Sequence, residues 1–134
     1  MTLQSTKFWD FSSQLYGKDG VAEICLDLQD KLEVDVNLLL FCYWVAHFKN
    51  IPSESEWTRI LEFSKSWQKE IVQPLRNARK SITEQLKNRP SNPDYAELKE
   101  QLKSNELDAE RIQQETIQSM LGIMAADSQP FSTA

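Results

Sequence analysis

The sequence predicts an all-α protein, a compact helical bundle of about five helices with a long, kinked C-terminal antiparallel helical hairpin. Apolar residues recur every three or four positions along most of the chain, and capping and stop signals separate these stretches. The single long apolar run, residues 36–48, has no second strand-like segment to pair with. Because 134 residues with 40% hydrophobic and 26% charged side chains suit one globular domain, we assign residues 1–126 to it and residues 127–134 to a flexible tail.

The first two predicted helices are short and amphipathic. The first follows a cap at Ser5 and Thr6 and ends at Gly17, which we expect to adopt the left-handed conformation. The second starts from an N-cap at Asp19. Their apolar positions are Phe8, Phe11 and Leu15 in the first helix, and Val21, Ile24, Cys25, Leu28 and Leu32 in the second.

The third predicted helix follows Asp35, a candidate N-cap, and covers residues 36–48. This segment is apolar on all sides, which predicts a central helix surrounded by its neighbours. His47 is the one histidine of the chain. We interpret it as structural, because it lies near a helix C-terminus, where a cation is favoured, and because no other metal ligand has suitable spacing.

A long helix is predicted to begin at the capping box formed by Ser53 and Glu56 and to continue to Asn88. Proline within a helix removes one backbone hydrogen bond and clashes with the preceding turn. Pro74 therefore predicts a kink or a break near Gln73.

The last helix is predicted to start at Pro93, with Asn92 as its N-cap. Residues 65–92 hold seven basic and two acidic side chains, whereas residues 93–134 hold three basic and eight acidic ones. Consecutive helices joined by a short loop lie antiparallel, so these opposite charges would face each other and favour the hairpin.

Motifs for catalysis and for cofactor binding are missing from the sequence. The three glycines are isolated and form no phosphate-binding loop, and no nucleophile elbow occurs. Cys25 and Cys42 form no metal-ligand pair, and we interpret them as buried free thiols. We therefore predict no catalytic residue, no metal and no cofactor. The longest apolar run is shorter than the roughly 20 residues that cross a bilayer, and the first residues lack a signal-peptide pattern, so we expect a cytoplasmic protein.

Seven polar and aromatic side chains beside apolar segments are candidate binding residues. Trp9 and Trp67 are the indoles left to line a surface groove, since Trp44 and Trp57 occupy core and capping positions. An arginine of the long helix could pair with Asp10, either as a structural clamp or as an anion-recognition point. The carboxylates of residues 106 and 110 are interpreted as part of a solvated face. The seven candidates are Trp9, Asp10, Asp35, Asn37, Trp67, Arg76 and Arg79.

Three functions are compatible with this pattern. The first is a non-enzymatic, cytoplasmic binding or regulatory adaptor that contacts a partner protein through the hairpin or through a groove with Trp9 and Trp67. The alternative is a small-molecule or anion-binding protein, or a weak enzyme, that uses Arg76 and Arg79 beside Trp67. Nucleic-acid binding through residues 65–89 is disfavoured, because the isoelectric point is about 4.9 and an acidic helix is predicted next to this segment.

Several short motifs together resemble one protein family, an uncharacterised family of small bacterial proteins, mostly from proteobacteria, classified as a conserved domain of unknown function. The similarity extends from about Phe8 to Ile117. The motifs are Phe8-Trp9-Asp10-Phe11-Ser12, Leu26-Asp27-Leu28-Gln29, Asp35-Val36-Asn37-Leu38-Leu39-Leu40, Trp67 with Pro74-Leu75-Arg76 and Arg79, and Glu106-Leu107-Asp108-Ala109-Glu110-Arg111.

The resemblance implies no activity, cofactor or partner. It implies that the seven candidates and Pro74 form a family signature, either for folding or for binding. The chain departs from the family at one turn: where the family has a glycine just before Asp35, this chain has Glu33 and Val34. The resemblance therefore leaves the geometry of that turn open.

Overall fold

A computed structural model describes residues 7–48 and 51–127, with side chains to residue 121, and shows helices and no strands in that part of the chain. This confirms the all-α prediction. The elements are α1 (Phe8–Tyr16), α2 (Val21–Leu32), α3 (Val36–Phe48), α4 (Glu54–Trp67), a π-helical turn (Gln68–Val72), α5 (Gln73–Asn88) and α6 (Pro93–Asp127).

The contacts divide the chain into two compact units. In the described part, the first unit contains residues 7–48, 51–64 and 113–127, and the second contains residues 65–112. The sequence-based assignment of residues 1–126 to one domain stays a prediction. The predicted tail, residues 127–134, lies outside the described residues except for the backbone of Asp127.

The disturbance predicted near Gln73 is a π-helical turn and not a break. Gln73 itself has helical dihedral angles, φ −62° and ψ −44°, and its N–H donates to the carbonyl of Gln68, five residues earlier. Pro74 follows directly and has no N–H to donate. A π turn is one of the ways in which a helix accommodates such an interruption. The helical backbone therefore continues from α4 through α5, so the described part of the chain contains the five helices that the sequence predicts.

The core of the first unit is rich in aromatic side chains from α1 and α3. Phe8 contacts Phe41 edge to face and stacks on Trp44, with ring centroids 5.4 Å apart in both pairs. Each such pair contributes about 0.5–1.5 kcal/mol beyond its area burial. The buried hydrophobic cluster also includes α4 and α6; its members are Phe8, Phe11, Leu15, Leu40, Phe41, Trp44, Val45, Ile60, Ile117 and Leu121.

Three predicted helix caps are confirmed. Asp35 Oδ1 accepts the N–H of Asn37 at 3.0 Å, at the start of α3. In the capping box of α4, the N–H of Ser53 donates to Glu56 Oε1 at 2.7 Å and the N–H of Glu56 donates to Ser53 Oγ at 3.2 Å. Asn92 Oδ1 accepts an N–H of the first turn of α6 at 2.9 Å.

The predictions for the turn between α1 and α2 are wrong in two respects. Gly17 ends α1 as expected but is right-handed, with φ −77°. The left-handed residue is Gly20, with φ 82°, and it is also the N-cap of α2, in place of Asp19. The left-handed residue of this turn is therefore the one directly before α2. Glycine adopts this conformation without the steric penalty that a Cβ would bring. The predicted cap at Ser5 and Thr6 lies outside the described residues, and the N-cap of α1 is Lys7.

The helix α3 is not surrounded by its neighbours, contrary to the prediction. One face packs into the core, through Asn37, Leu40, Phe41, Trp44 and Val45. The opposite face is exposed, and it comprises Leu39, Cys42, Tyr43 and Ala46. A composition that is apolar on all sides therefore reflects a half-buried helix here.

The turn before Asp35 places Glu33 in the left-handed conformation, with φ 53° and ψ 32°. A side chain with a Cβ is disfavoured there by roughly 1–2 kcal/mol. We expect Glu33→Gly to raise the free energy of unfolding by about 1 kcal/mol, measured by urea denaturation. The matched control is Glu23→Gly, at an exposed position within α2. This substitution should lower the free energy of unfolding by about 1 kcal/mol. Equal effects of the two substitutions would contradict a conformational penalty at Glu33.

Candidate functional site

A chain of buried polar side chains links α1, α3 and α6 inside the first unit. Ser12 Oγ donates to Gln114 Oε1 at 2.7 Å, and Gln114 Nε2 donates to Asn37 Oδ1 at 2.9 Å. Asn37 Nδ2 donates to Gln113 Oε1 at 2.9 Å, and Gln113 Nε2 donates to Asp35 Oδ2 at 3.0 Å. All donors point along the chain toward one carboxylate, so the four hydrogen bonds polarise one another in the same direction.

This polar chain places two of the candidate residues, Asp35 and Asn37, in a structural role. Asn37 is buried, and its side-chain amide both accepts and donates within the chain. Asp35 also caps α3 through its other oxygen. Because buried polar groups are costly without partners, this arrangement specifies how α6 docks on α1 and α3. Both polar atoms of the Asn37 side chain take part in these hydrogen bonds.

In the second unit, two arginines of α5 meet two glutamates of α6. Arg79 Nε donates to Glu106 Oε2 in a short, direct contact. Arg76 lies with its Nε 4.0 Å from Glu106 Oε1 and its Nη2 3.9 Å from Glu110 Oε2. The side chains of Arg76 and Glu106 are only 7% and 12% exposed. The acidic partners of both arginines are therefore Glu106 and Glu110, whereas the sequence suggested Asp10.

These contacts bear on three expectations from the sequence. The interpretation of Glu106 and Glu110 as a solvated face is wrong for Glu106, which is largely buried between the arginines. The opposite charges of the two hairpin helices do meet, as predicted. A bound anion would have to compete with carboxylates that already contact both guanidinium groups, which argues against an anion site at Arg76 and Arg79.

The indole N–H of Trp67 donates a hydrogen bond within the same hairpin. Its Nε1 donates to the backbone carbonyl of Ala109 in α6, at 2.8 Å. Ala109 is 4% exposed, so this hydrogen bond joins the two helices at a closely packed point. Trp67 thus contributes to the hairpin through a hydrogen bond that lies within the second unit.

Trp9 and Asp10 line a shallow polar groove of the first unit, between the start of α1 and α6. Its other lining residues are Lys7, Glu115, Gln118 and Ser119. Gln118 Oε1 accepts the N–H of Phe8 at 2.9 Å and so satisfies a free donor at the start of α1. Trp9 is half-buried and Asp10 is exposed. Since Trp67 belongs to the other unit, the predicted groove with Trp9 and Trp67 stays a prediction.

The exposed face of α3 carries an apolar stripe in the first unit. Its residues follow the helical spacing i, i+3, i+4 and i+7, so they form one continuous stripe. Leu39 is 42% exposed and Tyr43 is 54% exposed. We call this surface the α3 stripe; it consists of Leu39, Cys42, Tyr43 and Ala46.

Both cysteines are free thiols, and Cys25 is buried as predicted whereas Cys42 is exposed on the α3 stripe. Burial raises the pKa of the Cys25 thiol, and desolvation likewise raises the pKa of Cys42. A raised pKa keeps a thiol protonated at neutral pH, and the thiolate is the reactive form. Among the described residues, no three His, Cys, Asp or Glu side chains converge as metal ligands.

One family model matches the chain, over residues 7–117, and its description is protein of unknown function, DUF2390. The chain belongs to the DUF2390 family. No curated protein and no solved structure matches it. The match covers both units of the structure, and it confirms the resemblance that the motifs indicate.

Five of the seven candidate residues of this DUF2390 member now have a folding explanation. Asp35 and Asn37 belong to the buried polar chain, and Trp67, Arg76 and Arg79 hold the hairpin together. Trp9 and Asp10 lie at the surface, beside the polar groove. In this structure, five of the seven candidate residues therefore contribute contacts that support the fold.

The sequence did not indicate the two buried glutamines that complete the polar chain, Gln113 and Gln114. Gln113 and Gln114 are 0% and 2% exposed, yet glutamine is a typical surface residue. Gln113 lies at intervals of four residues from Ala109, Ile117 and Leu121, but a glutamine at such a position is also compatible with solvent. The α3 stripe was missed because composition alone does not tell a half-buried apolar helix from a central one.

No helix among the described residues has the length and hydrophobicity that crossing a membrane requires.

Proposed function

We propose that this protein is a non-enzymatic binding or regulatory adaptor of the cytoplasm, which acts through protein–protein contacts at the α3 stripe. The observation that carries the proposal is the continuous apolar stripe on an exposed helix face. Contiguous exposed apolar surface, in contrast to scattered apolar residues, is typical of interaction sites. The stripe includes Tyr43, and tyrosine is enriched at the centres of protein interfaces.

The packing of α3 supports this proposal. Tyr43 lies over the buried ring of Phe11, with centroids 6.0 Å apart, and the His47 ring lies 5.3 Å from Phe11. Tyr43 of the stripe is thus held against the aromatic core of the first unit. A preorganised surface loses little conformational entropy on binding.

The test compares two leucines of nearly equal exposure in the first unit. Leu39 of the stripe is 42% exposed, and Leu61 of α4 is 49% exposed. We expect Leu39→Glu to abolish the retention of specific proteins from a lysate of the native cells, whereas Leu61→Glu retains them. A buried charge at an interface core is costly, which is why one substitution suffices.

Circular dichroism of both variants has to show unchanged helix content before the captures are compared. If both variants retain the same proteins as the wild type, the stripe is not the binding surface. If no protein is retained by both the wild type and Leu61→Glu, the adaptor function itself is contradicted.

A further inference from the structure

The α3 stripe is uncharged, but the helix that precedes it is strongly acidic. No Asp, Glu, Lys or Arg occurs in residues 36–48, whereas residues 21–35 contain five acidic side chains and one basic one. Four of the acidic residues, all except the capping Asp35, are exposed on α2 or at its C-terminal end: Glu23, Asp27, Asp30 and Glu33. The basic one, Lys31, lies 3.8 Å from Asp27 in an exposed pair.

The helix α2 contacts α3 in the first unit, so the exposed carboxylates belong to the helix next to the one that carries the stripe. It also exposes apolar side chains among these carboxylates: Ile24 is 60% exposed and Leu26 is 48% exposed. The two neighbouring helices therefore combine an apolar stripe on α3 with exposed carboxylates on α2, which we call the acidic border. Interfaces match such a border with charges of the opposite sign.

Resting on the proposed function, we propose that the α3 stripe binds an amphipathic helix of a partner protein, with apolar residues toward the stripe and lysine or arginine beside them. The stripe spans seven residues of helix rise, about 10 Å. That length matches the anchors at i, i+3, i+4 and i+7 that an amphipathic helix presents. The basic residues would pair with the exposed carboxylates of α2.

The acidic residues of α2 also disfavour two other binding partners of the stripe. A second copy of this chain would bring another acidic α2 to the interface, and like charges there are unfavourable. An anionic membrane surface would be repelled for the same reason. A basic helix is attracted by the same charges.

The test uses a fluorescein-labelled peptide of about 18 residues, long enough to form a helix, with leucine at the four anchor positions and lysine elsewhere. Anisotropy titrations measure its affinity for the full chain. We expect saturable binding that weakens at least tenfold when glutamate replaces lysine in the peptide, and at least tenfold in Leu39→Glu but not in Leu61→Glu. A peptide of the same composition with scrambled anchors controls for charge alone.

A second pair of variants tests the acidic border. Glu23→Gln with Asp30→Asn removes two exposed charges of α2, and Glu54→Gln with Glu62→Gln removes two exposed charges of α4. The first pair is expected to weaken binding of the lysine peptide by about fivefold, and the second pair by less than twofold. Equal weakening by both pairs would contradict the specific role of α2.

The remaining outcomes separate this inference from the proposed function. Equal binding of the lysine and glutamate peptides, or lysine-peptide binding that persists in Leu39→Glu, would overturn the inference. Leu39-dependent binding to vesicles with anionic lipid, or Leu39-dependent dimerisation without peptide binding, would also overturn it. If no peptide binds while capture from lysate still depends on Leu39, the inference fails and the adaptor function stands. If lysate capture also fails, both are wrong.

Discussion

Glu106→Ala is expected to lower the free energy of unfolding by about 3 kcal/mol. Glu106 is 12% exposed and contacts the guanidinium groups of both Arg76 and Arg79. Removing one member of a buried charge cluster leaves the others without their compensating charge, which costs about 3–5 kcal/mol. We place the value at the lower limit because Glu110 still lies 3.9 Å from Arg76 and because Arg79 is partly exposed.

The matched control for this prediction is Glu100→Ala, also in α6. Glu100 pairs with Lys103 at 3.6 Å, and both side chains are more than half exposed. Exposed pairs of this kind contribute about 0–1 kcal/mol, so the control should change stability by less than 1 kcal/mol. Urea denaturation followed by circular dichroism measures both. Similar losses in the two variants would mean that the arginine cluster does not hold the hairpin.

Gln113→Ala is expected to cost about 3 kcal/mol of unfolding free energy. The side chain is fully buried, accepts a hydrogen bond from Asn37 and donates one to Asp35. Its removal takes away the acceptor of a buried amide, at about 1–3 kcal/mol, and leaves a cavity in the packed interior. Gln101→Ala, an exposed glutamine of the same helix, should change stability by less than about 0.5 kcal/mol.

A double-mutant cycle separates the hydrogen bond from the cavity. Asn37→Ala combined with Gln113→Ala should cost about 1–2 kcal/mol less than the sum of the two single substitutions, because neither partner is then left alone in the interior. Strict additivity would show that the two amides do not interact. Thermal denaturation gives an independent measure of the same cycle.

Features that depend on neighbouring residues were predictable. The caps at Asp35, Ser53 and Asn92 were found from sequence because the side chain and the N–H that it accepts are two or three residues apart. The disturbance before Pro74 was found for the same reason, since the ring acts on the preceding turn. The turn at Gly17 was misplaced because either Gly17 or Gly20 could supply the left-handed residue.

The candidate site was predictable only in part. Five of the seven candidates lie in the buried polar chain or in the hairpin contacts, but their partners come from distant parts of the chain. Asn37 and Gln113 are 76 residues apart, and Arg79 and Glu106 are 27 residues apart. No local pattern marks Gln113 as buried, because a glutamine is compatible with solvent until another helix covers it.

The sequence by itself determined the all-α class, the positions of the helices and the pairing of a basic with an acidic hairpin arm. These follow from periodicity, capping and charge, which act over one or two helical turns. The tertiary structure decided which face of α3 is buried and which glutamates and glutamines enter the interior. Those choices depend on the free energy of packing one helix against another, and a helix that is apolar on all sides has no intrinsic preference for either face. The face left exposed is the one to which we assign the function.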